Sequence, residues 1–193
     1  MIQANTKRGF TLIELLIVIA ILAILAVAVV LVLNPAELLK QGRDTTRISD
    51  LAALNSAIAL YVADVRSPSW SSAAGNCTAA TPFTGGGGSI ACTATTSTVV
   101  TGTGWVPINF SAVSSGSPLA RLPLDPTNSA VYEYLYAASS TTGYFELVAN
   151  MESSKYATNG SADVESNTKD GGTGTNSGNV YQTGSDLSLI TAF

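Results

Sequence analysis

Glu14 stands at the head of a run of apolar residues that continues unbroken from Leu15 to Leu33. A carboxylate inside a membrane helix costs on the order of 3 kcal/mol at the bilayer centre and less near an end, so it marks a function and needs a positive partner. No lysine or arginine shares its helical face within the run, so that charge must come from another chain or from a newly made amine. Cys77 and Cys92 form a second candidate group. In an exported region the two thiols are expected to pair as a disulfide, with free thiols as the alternative. Their spacing suits neither a redox CxxC motif nor a metal site. A third group, Asp163, Glu165 and Asp170, lies in a Gly- and Asn-rich tail and offers oxygen ligands of the kind calcium takes. The spacing is not that of an EF-hand, and a solvated polar loop accounts for these acids as well.

Composition removes other chemistries. Among 193 residues there is no histidine, which excludes His-based triads and imidazole acid–base catalysis. Two cysteines are too few for a four-thiolate zinc site. A net charge of −4 speaks against nucleic acid as a specific ligand. The glycine run at 85–88 is followed by neither the Lys-Ser/Thr nor the helix of a phosphate-binding loop, and no G-x-S-x-G is present. The chain reads as no enzyme, without a resident cofactor. A mean hydropathy of +0.31 points instead to a segment in lipid.

That segment is residues 10–33, whose 24 residues rise about 36 Å as a helix, enough to cross a hydrocarbon core. Lys7 and Arg8 precede it, which predicts that the short N-terminal end stays cytoplasmic and the remainder is exported. A plain signal anchor would share these features, and Ala26-Val27-Ala28 mimics a signal-peptidase site, yet neither accounts for Glu14. At Asn34-Pro35 the helical pattern must kink or break. It then turns amphipathic, with Leu51, Leu54, Ile58, Tyr61, Val62 and Val65 on one stripe and Arg47, Asp50, Asn55 and Asp64 elsewhere. Pro68 bars its continuation, so a helix from Phe10 to about Arg66, on the order of 85 Å, is expected. Residues 67–104 are rich in Ser, Thr, Ala and Gly and read as a long surface loop. From 105 onward alternation returns: Ala130–Ala137 and Tyr144–Met151 predict an antiparallel hairpin around a turn at Ser139–Gly143. A third strand is expected near Leu187–Ile190 and a weaker one at Val180-Tyr181. The tyrosine row 132, 134, 136 reads as sheet packing and surface rather than a binding platform.

Lys7-Arg8-Gly9-Phe10-Thr11-Leu12-Ile13-Glu14, running into LLIVIAILAIL, resembles the N-terminal signal of bacterial type IV pilins and type II secretion pseudopilins. Leu122-Pro123-Leu124-Asp125-Pro126-Thr127-Asn128, with the tyrosine-rich strand and Tyr144-Phe145-Glu146-Leu147, resembles a stretch in the globular heads of that family. The resemblance implies an α+β pilin-like fold, in which one long N-terminal helix packs its amphipathic half on a small antiparallel sheet. It divides the chain into a leader (1–9), a transmembrane and polymerisation half-helix (10–33), an amphipathic half-helix (34–66), the Ser/Thr/Gly-rich loop (67–104) and a C-terminal β head (105–193).

The same resemblance implies that a prepilin peptidase cuts between Gly9 and Phe10, that the new Phe10 amine is N-methylated, and that Lys7 and Arg8 hold the leader at the cytoplasmic face. Cleavage would supply the missing cation, and in a filament Glu14 would face the Phe10 amine of a neighbouring subunit. The expected function is a structural prepilin of a type IV pilus-like filament, with a type II secretion pseudopilin as the alternative and a signal-anchored extracytoplasmic binding or adhesion module as a reading of another class. Partners would be further copies of the chain, the peptidase/methyltransferase, and an assembly ATPase with its inner-membrane platform. The subunit would sit as a single-pass inner-membrane protein before assembly and in an extracellular pilus or periplasmic pseudopilus after it. Major pseudopilins carry calcium in their C-terminal loop, which is the family's version of the acidic-tail reading.

Overall fold

In a computed structural model, residues 9–70, 75–79, 82–84, 89–165, 180–187 and 189–190 are described. The chain divides into two compact units, up to Leu38 and from Leu39 onward.

Helix α1, Leu12–Leu33, is apolar on every side, and Leu12–Val30 is long and apolar enough to cross a membrane, with none of that window buried. It ends because Asn34 takes a left-handed conformation (φ 40°, ψ 71°), which asparagine tolerates better than most residues. Pro35 then disfavours helical geometry in the residue before it while suiting the first position of a new helix. The Asn34 carbonyl accepts from Glu37 N at 3.0 Å and Leu38 N at 3.3 Å, opening helix α2, Pro35–Asp64. Of the two outcomes expected at Asn34-Pro35 the chain takes the break, so the single helix expected from Phe10 to Arg66 is two.

In the second unit α2 buries Leu51, Leu54, Ala57, Ile58 and Tyr61. Two corrections apply to the expected stripe. Val62 is exposed, and Arg47, assigned to the polar side, is fully buried together with Asp44. Arg47 lies one turn before Leu51 on the same face, so the stripe continues as a charged one. The C-terminal turn of α2 carries Asp64, unfavourably placed for the helix dipole. It is satisfied from outside the helix, where Ser114 donates its N–H (2.6 Å) and its hydroxyl (2.7 Å) to the carboxylate.

The sheet has five strands in the order β2-β1-β3-β4-β5: β1 Asn76–Cys77, β2 Thr93–Ala94, β3 Tyr134–Ala138, β4 Phe145–Ala149 and β5 Tyr181–Gly184. The expected hairpin is β3–β4, paired from Tyr134↔Ala149 to Ala138↔Phe145. The sheet is mixed rather than wholly antiparallel, because β1 and β2 run parallel. Both of these lie in the stretch expected to be loop. The C-terminal strand is Tyr181–Gly184, while the described residues of 187–190 form no strand.

Both sheet faces are covered, which a simple in/out alternation did not anticipate. On the face towards α2, Tyr134, Tyr136, Phe145, Leu147 and Ala149 join Leu51, Leu54, Ile58, Tyr61, Trp105, Ile108, Phe110 and Leu122. Two of the three tyrosines expected as a row are thus core residues, with Trp105 and Tyr134 ring centroids 5.9 Å apart. On the other face Leu135, Ala137 and Val148 meet Cys77, Phe83, Val180 and Ile190. Part of the Ser/Thr/Gly-rich segment is therefore a lid over the sheet. Cys77 and Cys92, both within that segment, are disulfide-bonded at a Cα–Cα distance of 5.8 Å.

Candidate processing and assembly site

The N-terminal site is built around the start of α1. Gly9 and Phe10 precede the helix and are exposed, Phe10 to 89%. Among the described residues, a Cβ added at Gly9 would meet nothing within 4 Å.

Thr11 is the N-cap of α1 and forms a reciprocal capping box with Glu14. The Thr11 N–H and hydroxyl donate to Glu14 Oε2 at 2.8 and 2.7 Å, and the Glu14 N–H donates to Thr11 Oγ1 at 3.3 Å. This arrangement satisfies orphan donors of the first turn and places an anion at the positive end of the helix. It also gives Glu14 partners within its own chain that sequence reasoning missed, although the T-x-x-E spacing at 11–14 is the signature of such a box. The box uses one carboxylate oxygen and supplies no cation. Lys7 and Arg8 lie outside the described residues.

A second cluster, in the head, was not foreseen. Arg47 Nε and Nη2 donate to Asp125 Oδ2 and Oδ1 at 2.6 and 2.9 Å, a bidentate pair. Nη1 donates to Asp44 Oδ1 at 2.8 Å, and Nη2 donates also to Glu152 Oε1 at 2.5 Å. Arg43 pairs with Glu152 as well, and the Tyr132 ring lies 5.2 Å from the Arg47 guanidinium carbon. The carboxylates in turn organise backbone. Asp125 accepts from Thr127 N and Asn128 N at 2.8 and 3.1 Å, holding the Asp-Pro turn. Asp44 accepts from Glu152 N and Ser153 N at 2.9 and 2.8 Å, holding the exit of β4. Burial alone would pull the Arg47 guanidinium down, but the three carboxylates outweigh it and hold it above its ordinary range. Burial pushes Glu152 up, and its bonds from Arg43, Arg47 and Thr127 overcome that, bringing it down to about 2. The cluster joins α2, the turn before β3 and the end of β4 in one charged knot. Its signal in the sequence was Arg47 at the a/d spacing of Leu51, Leu54 and Ile58.

Of the acidic tail residues, Asp163 and Glu165 are buried. Asp163 accepts from Glu165 N and Asn159 N, both at 2.9 Å, and Glu165 accepts from Met151 N at 2.6 Å and Thr158 N at 3.0 Å. Burial pushes Glu165 up to about 7 against those two N–H bonds. Each of the four carboxylate oxygens thus takes a backbone N–H, and the pair clamps the loop between Met151 and Glu165. Asp170 lies outside the described residues. Among the described residues, no three His, Cys, Asp or Glu side chains are grouped to hold a metal.

Residues 4–30 match the prokaryotic N-terminal methylation motif, the prepilin-type signal of type IV pilins and pseudopilins. No curated protein and no solved structure matches the chain.

Proposed function

We propose that this chain is a prepilin of a type IV pilus-like filament. It is cleaved between Gly9 and Phe10, N-methylated at Phe10 and polymerised through α1. The methylation motif supports the coarser statement directly: the chain carries the signal of a processed, pilin- or pseudopilin-like structural subunit anchored by an apolar helix. The observation that carries the finer reading is the conjunction of that motif with α1 itself. The helix buries nothing in its own chain across Leu12–Val30, yet it begins with an acid. Lipid can cover the apolar surface of one subunit, and the helices of neighbours can cover it in a filament. Cleavage would create an ammonium on Phe10, and a neighbour's Phe10 ammonium is the cation Glu14 lacks. Entry of each subunit would then be favoured in the register that pairs them, because an ion pair strengthens as water is excluded.

In this reading the peptidase, the methyl transfer, the ATPase and the platform belong to other chains, and the head rides outside the cytoplasm. The displayed Ser/Thr-rich segment supports a surface pilus over a secretion pseudopilus. The test is the N-terminal sequence and intact mass of the protein from its native cells. A chain starting at Phe10 with one added methyl group is the expected result. A chain starting at Met1 or after Ala28 overturns the reading in favour of a signal-anchored or secreted module.

A further inference from the structure

We propose that the head binds a small zwitterion with an apolar body, of the class of the free apolar α-amino acids, in the cleft between α2 and residues 119–124. The cleft has a volume of about 390 Å³ and is lined by Asp50 and Ala53 of α2 facing Arg121 and the apolar side chains Leu119, Leu122 and Leu124. That volume lies within the roughly 300–1,000 Å³ of ordinary small-molecule sites, which combine apolar walls with a few placed polar groups.

The charged groups here are one acid and one base, beside Thr98, and neither is used up by the fold. Asp50 Oδ2 accepts from the Tyr134 hydroxyl at 2.8 Å, and its other oxygen takes no donor among the described residues. Asp50 lies three residues after Arg47, within reach of pairing on a helix, but that guanidinium is committed to Asp44, Asp125 and Glu152. Asp50 is therefore a half-buried carboxylate left without a cation among the described residues, beside a knot already rich in carboxylates. Burial pushes its carboxyl up, the Tyr134 bond opposes this, and Asp125 adds to it, so an incoming cation is what would restore balance. Arg121 is exposed and makes no ion pair among the described residues.

The complement of such a cleft is an ammonium for Asp50, a carboxylate for Arg121 and a hydrocarbon side chain for the leucine wall. The wall is rigidly held: the Leu122 N–H donates to the Thr98 carbonyl at 2.8 Å and the Trp105 indole N–H to the Pro123 carbonyl at 2.8 Å. The site therefore exists before any ligand arrives. This inference is independent of whether the chain polymerises.

The test is a titration of the full chain in detergent micelles, followed by NMR at the Thr98 and Leu122 amides, with three probes: leucine, isoamylamine and isocaproate. Saturable shifts with leucine at millimolar concentration are expected, with binding at least about tenfold weaker for either singly charged probe. Asp50→Asn, which retains an acceptor for Tyr134, should abolish binding of leucine and of the amine. Arg121→Gln should weaken leucine and leave the amine unchanged. Leu119→Trp, which fills the cleft from its wall, should remove all binding. No saturable shift with leucine overturns the proposal, and so does binding that survives Leu119→Trp or is indifferent to Asp50→Asn.

Discussion

At the scale of single residues, the informative side chains are those whose position has no internal justification. Glu14 has hydrogen bonds from Thr11 but no cation among the described residues. Glu14→Gln should therefore leave cleavage and methylation intact, because the motif around Gly9 and Phe10 is unchanged. It should reduce incorporation into filaments by roughly tenfold or more, since a pair formed at a low-dielectric contact is worth more than an exposed one. Immunoblots of sheared filaments against total cell protein measure both, and unchanged incorporation would remove the pairing from the mechanism. The buried acids of the head make a second residue-scale prediction, through two glutamates shifted in opposite directions. Glu165 has a folded value of about 7 against an ordinary 4.5, so the stability it withholds at neutral pH returns as pH falls through 7 towards 4.5. Glu152 has a folded value of about 2, so its contribution is complete above 4.5 and is lost as pH falls from there towards 2. The melting temperature of the head in the full chain should rise from pH 7.5 to about 5 and fall below about 4. Circular dichroism melts across that range check it, and Glu165→Gln should flatten the upper arm alone.

At the scale of elements, the legible parts were those carried by period and punctuation. The apolar run announced α1, Asn34-Pro35 announced its interruption, and the alternation through Tyr134–Ala138 and Phe145–Ala149 announced β3 and β4. What was illegible depended on partners remote in sequence. Arg47 looks solvated until Asp125 and Glu152, 78 and 105 residues away, are brought against it. Strands β1 and β2 are two residues each, too short to show a period, and their place in the sheet is set by pairing and by the disulfide. A strand was expected at the more apolar 187–190 and a weaker one at Val180-Tyr181; among the described residues only the weaker site carries a strand, β5, Tyr-Gln-Thr-Gly, whose Thr183 accepts from Asn55 of α2 at 3.2 Å. The lid makes the element-scale prediction. Closing a loop of about 15 residues contributes roughly 3 kcal/mol in the chain-entropy model, and here it also seats Cys77 and Phe83 on Leu135 and Val148. Cys77→Ser with Cys92→Ser should lower the melting temperature of the oxidised full chain by several degrees. Reduction of the wild type should match it, and no difference between oxidised and reduced protein would deny the disulfide that role.

At the scale of the whole molecule, burial is divided unequally. The residues of both core clusters lie from Leu51 onward, and so does everything the disulfide closes. The charged knot begins at Arg43. The first unit contributes no buried apolar residue among those described, and its exposed hydrophobics run from Phe10 to Leu38. A chain whose core residues all lie from Leu51 onward should tolerate losing its most hydrophobic segment. The break at Asn34-Pro35 sets the place of the cut, since α2 already begins there with its own first turn satisfied by the Asn34 carbonyl. A chain starting at Asn34 should therefore be a water-soluble monomer that melts cooperatively, whereas the full chain should need detergent. Size-exclusion chromatography and circular dichroism separate the outcomes. If the shortened chain aggregates or melts without a transition, then the second unit does not fold alone, and the division of labour between an anchor and a self-sufficient head is wrong.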